Sequence, residues 1–307
     1  MVLEHKPAEK LFIDFAGKKP HYMDKTTGEV IECQMFVACL PYSDYSFAMV
    51  VSSQSTEDFL LVLSCCLQEL GGVPQALVPD NLKAAVIKAN RYEPDINRIL
   101  EDFANHYGIT VVPARAKRPQ DKALVENQVN LIYSRAYARL RNMQFFDLHS
   151  LNKAITEKIK AHNQTRMQQK PYCREEKFFA EEKKLLSPLP VERFEMKNYR
   201  ELKVAKNNHI YLSENKNYYC VPYRLIGSKV KVIYTRNMVY ILSKGDQVAA
   251  HIRSRTTGVY ITVNEHLCSH HQTLPGQKPP LLYRTGRKKI PGAPPTHIIG
   301  IFPKQVP

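Results

Sequence analysis

The stretch Leu11-Phe-Ile-Asp-Phe-Ala-Gly17 is a short apolar run with one carboxylate, Asp14, at its centre and a glycine at its end. An acid among apolar neighbours is costly unless it is paired, hydrogen-bonded or metal-bound. Read outward from this run, the chain continues in strand-like segments. Glu29 to Leu40 is rich in Val30, Ile31, Phe36 and Val37, and Phe47-Ala-Met-Val-Val-Ser-Ser53 follows after a polar turn. Three consecutive strands predict a meander. Ser55-Thr-Glu-Asp58 then supplies a capping hydroxyl and first-turn acids. Phe59, Val62, Leu63, Cys66, Leu67 and Leu70 recur at helical spacing until Gly71-Gly72.

Beyond that helix, Gln75 to Val78 predicts a fourth strand, with Asp80 of Ala76-Leu-Val-Pro-Asp-Asn81 just past its end. Asp95 to Tyr107 has an amphipathic helical pattern stopped by Gly108, and Ile109-Thr-Val-Val-Pro113 predicts a fifth strand. A basic loop, Arg115-Ala-Lys-Arg-Pro-Gln-Asp-Lys122, precedes a long helix expected over Ala123 to Arg141, which carries Glu126 near its start. The order β-β-β-α-β-α-β-α is the RNase H-like arrangement. It predicts an α/β fold with a mixed five-stranded sheet and flanking helices.

The remainder divides by composition. Residues 8–145 are expected to form the α/β domain and 146–190 a helical linker, with Leu151, Ile155 and Ile159 at four-residue spacing. Residues 191–258 hold five or six short β-rich segments and predict a small all-β barrel. Residues 259–307 read as a basic, Pro-rich tail, extended or disordered.

Charge narrows the function. The 307 residues carry 44 Lys and Arg against 29 Asp and Glu, a formal net charge of +15, which points to a polyanion such as DNA. No stretch approaches the roughly 18 apolar residues of a membrane span, and Met1-Val-Leu-Glu-His-Lys lacks the apolar core of a signal peptide. The chain reads as cytoplasmic. Seven cysteines without C-x-x-C spacing read as buried hydrophobes in a reducing compartment.

Singly, the acids say little. Asp14 is balanced between a salt bridge and a metal; Asp80 in Pro-Asp-Asn is ordinarily a turn or a helix cap; Glu126 is ordinarily solvated. Together they say more, because in this strand order the first and fourth strands are neighbours and the last helix packs over their ends. Three converging carboxylates are expected to hold two Mg²⁺ (or Mn²⁺) ions, which suits in-line phosphoryl displacement. Arg115, Lys117, Arg118 and Lys122 precede Glu126, and Asn127, Asn130, Arg135 and Arg139 follow it at three- to five-residue spacing. All eight are candidate DNA contacts, against the plainer reading of a solvated loop and a wet helix face.

Three runs carry a family resemblance: Ile-Asp-Phe-Ala-Gly at 13–17, Val-Pro-Asp-Asn-Leu-Lys-Ala-Ala-Val at 78–86, and Arg-Pro-Gln-Asp-Lys-Ala-Leu-Val-Glu at 118–126. They resemble the catalytic core of IstA-type insertion-sequence transposases, within the DDE transposase and retroviral-integrase superfamily, over about residues 8 to 260. The resemblance implies that Asp14, Asp80 and Glu126 are the catalytic and metal-binding triad. It further implies 3′-end cleavage and strand transfer, an AAA+ ATPase helper of the IstB type, and at least a homodimer on DNA. Such proteins begin with a helix-turn-helix region, so the resemblance also implies a fragment or truncated form. The rival expectations are an RNase H-like nuclease without strand transfer and a non-catalytic DNA-binding or assembly protein.

Two weaker signals remain. His266, Cys268, His270 and His271 are soft ligands without a second pair at defined spacing. The tyrosines at 199, 211, 218, 219, 223, 234 and 240 fit core or cross-strand pairs better than base stacking.

Overall fold

The computed structural model describes residues 5–79, 98–112 and 131–268, with the backbone of 86–88 and 95–96. These fall into two compact units that divide between Met196 and Lys197.

The first unit is built on a five-stranded sheet. Its strands are β1 (Lys10–Phe15), β4 (Gln34–Leu40), β5 (Tyr45–Val51), β6 (Ala76–Pro79) and β9 (Thr110–Val111), in the order β5-β4-β1-β6-β9. β4 pairs antiparallel with both β1 and β5, whereas β1 with β6 and β6 with β9 are parallel. This is the meander followed by helix-linked parallel strands that the sequence predicted. One expected strand is divided in two. Cys33 turns its N–H to Pro20 O at 2.7 Å, so β3 (Val30–Glu32) leaves the main sheet and pairs with β2 (His21–Met23). Asp95 and Ile96, expected in a helix, form β8 (Asp95–Ile96) against β7 (Val86–Lys88), and α2 begins only at Arg98 (Arg98–Tyr107).

Local signals explain the helices. In α1 (Thr56–Leu70), Ser55 Oγ accepts the Asp58 N–H, and Gly71 at φ 71° closes the helix in the left-handed region that favours glycine. α3 (Leu148–Gln164) starts where Asp147 accepts the Ser150 N–H at 2.7 Å. The helix expected through Arg141 is shorter. It is helical over 131–135 and then passes into turns, with the Ala138 N–H reaching Tyr133 O five residues back.

Strand alternation sorts the side chains onto two faces. Leu11, Ile13 and Phe15 join Phe36, Phe59, Leu63, Phe103 and Phe178 in a core beneath α1 and α2. Phe12, Val37, Ala48, Val50 and Val78 face the other way, into a core closed by Ile132, Ala136, Tyr137 and Leu140 and by Leu151, Ile155 and Ile159 of α3. The edge strand β5 would expose unpaired backbone groups. Two α3 side chains occupy them. Asn163 accepts the Ser46 N–H (3.1 Å) and donates to Ser46 O (2.9 Å), and Asn152 does the same for Val50 (2.7 and 2.8 Å).

The second unit differs from the single barrel expected. Among the described residues it holds two sheets, β10-β13-β14-β15 and β11-β12-β16, and no closed ladder. The strands are β10 (Asn198–Lys203), β11 (His209–Leu212), β12 (Asn217–Cys220), β13 (Lys229–Tyr234), β14 (Met238–Ser243), β15 (Asp246–Ile252) and β16 (Tyr260–Ile261). The chain turns away after β10 through Asn208, at φ 53°, and β11 finds β12 instead of extending the first sheet. Ile210, Leu212 and Tyr219 from one sheet meet Val230, Val232, Val239 and Ile241 from the other in one core. No helix of the described residues is long and apolar enough to cross a membrane.

Candidate functional site

Asp14 lies near the C-terminal end of β1 and is half-buried. Alternation sets it on the side of Phe12, the face covered by the 132–140 segment and α3. The Phe15 N–H donates to its Oδ1 at 2.7 Å, and its row across the sheet is Val37 and then Ala48. On the opposite flank Ile13 is registered with Pro79, the last residue of β6. Asp80 is the next residue in the chain. Among the described residues the parallel register runs as far as Ile13 and Pro79, and each is followed in sequence by an acid.

Asp80 and Glu126 themselves lie outside the described residues, as do Arg115, Lys117, Arg118, Lys122, Asn127 and Asn130. The chain that follows Glu126 is described from residue 131. Ile132 packs on the Asp14 face of the sheet beside Phe12 and Val78.

Arg135 and Arg139 line a cavity of 290 Å³ together with Lys158, Ala161, His162 and Thr165. His162 is 3% exposed, and among the described residues neither of its ring nitrogens has a hydrogen-bond partner. Burial, reinforced by the Arg174 and Arg135 guanidiniums, pushes its imidazole down to about 3. The ring is neutral at neutral pH. Sequence reading missed Lys158 and His162, although His162 continues the Leu151-Ile155-Ile159 stripe by one turn.

A second missed acid, Glu182, is fully buried. Its Oε1 accepts the Ala8 N–H at 2.9 Å and its Oε2 accepts the Ser43 hydroxyl. Burial raises its pKa. These bonds tie residues 8 and 43 to the 178–182 turn, so this carboxyl is structural.

In the second unit, ligand atoms of Cys220, His251 and His266 lie within 4.8 Å of one another. Cys268 is outside that group, and His270 and His271 lie outside the described residues. Burial raises the Cys220 thiol to about 11, so it stays protonated and donates to His266 Nδ1 at 3.0 Å, while its sulfur accepts the Val263 N–H. His251 Nε2–H donates to Cys220 O at 2.7 Å. The cluster satisfies itself. Of the tyrosines, Tyr219 and Tyr234 are core, and Tyr218 pairs across the strands with Tyr211 and stacks on Tyr260 at 4.2 Å.

With this geometry in hand, comparison with known proteins gives a consistent class. Homologues of this chain at 36–40% identity over most of its length are named as transposases, two of them for insertion sequences. Residues 189–263 match the family model described as "Mu transposase, C-terminal domain". One relative, from Burkholderia multivorans, is named as a transposase for insertion sequence IS408. It is 38% identical over 94% of this chain and 56% of its own length. Another, the transposase-named y4uI of Sinorhizobium fredii, is 40% identical over 87% of this chain and 52% of its own. The chain thus spans about half the length of the curated relatives it matches. Among solved structures, the catalytic core domain of BIV integrase aligns at 16% identity with a TM-score of 0.40, over 56% of this chain and 94% of that one.

Proposed function

We propose that the chain catalyses divalent-metal-dependent cleavage and joining of DNA, with Asp14, Asp80 and Glu126 as its three carboxylates. The observation that carries this reading is the β1–β6 register, which sets Ile13 beside Pro79, each followed directly in sequence by an acid. The homology to proteins named as insertion-sequence transposases supports it. So does the packing of Ile132, six residues after Glu126, on the face that Asp14 shares.

The donor set suits a hard cation. Asp14 is half-buried and flanked in its strand by Ile13 and Phe15, where a carboxylate gains most from a positive partner, and oxygen ligands are what Mg²⁺ and Mn²⁺ take. When bound, two such ions supply a polarised nucleophile and charge stabilisation of the leaving oxygen. The protein's own part is positional: Asp14 sits on a rigid central strand, and its carboxylate is oriented by the Phe15 N–H. Arg115, Lys117, Arg118 and Lys122 hold the phosphodiester backbone, with Asn127, Asn130, Arg135 and Arg139 following it away from the reacting bond. Water first breaks the phosphodiester at the element end and leaves a 3′-hydroxyl. That hydroxyl then attacks a target phosphodiester, forming one bond as the target strand's own 3′-oxygen leaves.

In the finer reading residues 8–145 carry this chemistry in the cytoplasm, two or more copies act on paired DNA ends, and an IstB-type AAA+ ATPase assists. The test is a pre-cut transposon end incubated with target DNA and Mn²⁺. Wild type yields joined strands. Asp14→Asn, Asp80→Asn and Glu126→Gln each reduce joining to background while DNA binding stays within about twofold, a change of under about 0.5 kcal/mol. Joining by any of these variants at the wild-type rate removes that residue from the mechanism. Shortened strands without joined ones identify a nuclease instead.

A further inference from the structure

We infer that the cavity lined by Arg135, Arg139, Lys158, His162 and Thr165 is a second phosphate-binding site, one that seats a backbone phosphate of the DNA away from the reacting bond. The inference rests on DNA being the substrate, as proposed above, and adds a place on the protein where the duplex is gripped.

The charge balance argues first. Arg135, Arg139 and Lys158 converge on one opening, and among the described residues no carboxylate lines it or pairs with any of them. Like charges repel, and each retained cation gains from an anion. The plain alternative is that these cations complement the negative end of α3, whose last turns supply Lys158, Ala161 and His162. Magnitude decides against that as the full account. A helix C-terminus is equivalent to about half an elementary charge. Three unit charges exceed it several-fold. In addition, the Arg174 guanidinium already donates to the His162 carbonyl at that end, at 3.4 Å.

The second observation is independent of charge. His162 lines the cavity, is almost wholly buried, and finds no partner for either ring nitrogen among the described residues. A buried polar group without a hydrogen bond costs about 1–3 kcal/mol, and among the described residues neither ring nitrogen reaches a helix-end carbonyl. A phosphate oxygen supplies that acceptor. One neutral ring N–H and the Arg and Lys donors form the charge-assisted set that phosphate takes. The volume of 290 Å³ is many times the roughly 30 Å³ of a liquid water, so a phosphate group fits.

The site is distinct from the carboxylate site. Its floor, the end of α3, is fixed by Asn163 to Ser46, whereas the row of Asp14 crosses β5 at Ala48. The two rows are two residues apart on β5, about 7 Å at strand spacing, and the α3 end lies beyond Ser46. A duplex whose reacting bond sits at Asp14 would reach the cavity with a neighbouring phosphate.

The experiment is DNA binding against salt for wild type, Arg139→Gln, Lys158→Gln and the double variant, on a transposon-end duplex and on unrelated DNA. Each phosphate that the protein ceases to neutralise makes the slope of log affinity against log salt shallower by about 0.9. We expect a shallower slope on both DNAs, with unchanged melting temperature because Arg139 is exposed and Lys158 only half-buried. A double variant with the wild-type slope overturns the inference. Inorganic phosphate is the second arm: it shifts the His162 imidazole resonances in wild type and not in the double variant. A phosphate shift without a change in DNA slope assigns the site to a free anion and overturns the DNA assignment. Asp14→Asn run alongside keeps the wild-type slope. Failure of wild type to join strands would remove the proposed chemistry, yet the slope comparison would still decide the cavity.

Discussion

The two faces of the central sheet are built to different ends. On one, Phe15, Phe36 and Phe59 contact one another at ring separations of 5.7 to 6.4 Å, and α1, α2 and Phe178 seal them from water. The other face has the smaller apolar core and carries more polar groups. It carries Asp14, the two asparagine clamps on β5 and the cationic cavity, and its cover is α3 with the 132–140 segment. Because successive strand residues point to opposite sides, one backbone can devote alternate positions to stability and to chemistry. Ile13 and Asp14 are adjacent in sequence and belong to different jobs.

That contrast can be broken or sharpened by substitution. The largest effect on stability is expected on the sealed face, where Phe59→Ala removes a fully buried ring and costs about 3–5 kcal/mol in denaturant unfolding. Its salt slope for DNA should stay that of wild type. A shifted slope would show the two faces to be coupled. Asn163→Ala, on the functional face, leaves the buried Ser46 N–H and carbonyl unpaired and should cost about 2 kcal/mol. Asn152→Ala, at a half-buried position, should cost less, about 1 kcal/mol. Equal losses would mean that burial does not set the worth of these clamps.

The smallest effect at neutral pH is that of His162→Asn, because the native ring is uncharged there. The fold holds this imidazole at about 3 against an ordinary 6.5, so between those values the unfolded chain binds more protons. Stability therefore rises with pH through that window and is lost as pH falls. His162→Asn should flatten this acid limb in melting curves. Added phosphate should flatten it in wild type as well, since an anion in the cavity favours the charged ring. An unchanged limb in the variant would place the acid sensitivity elsewhere.

Much of the α/β unit was legible because its signals are local. The cap at Ser55, the stop at Gly71 and the apolar alternation of β1 and β4 each depend on a few neighbouring residues. The misses were decided at a distance. Cys33 interrupts a β-rich run because Pro20 offers it a carbonyl, and the 123–141 helix pattern yields to turns after residue 135. The tyrosine- and valine-rich C-terminal run held the right strands, but whether they close into a barrel depends on which edges pair. Glu182 was invisible for the same reason, its partners Ala8 and Ser43 being 174 and 139 residues away.

Sequence alone determined the order of strands and helices, the excess of positive charge and the three acids worth weighing, because composition and periodicity are properties of neighbours along the chain. Tertiary structure decided that Ile13 and Pro79 stand side by side in one parallel ladder. It also decided that Arg135, Arg139, Lys158 and His162 share a cavity and that Asn152 and Asn163 close the β5 edge. Those pairings join residues that no periodicity links, and the free energy that fixes them comes from burying both sides of the sheet at once.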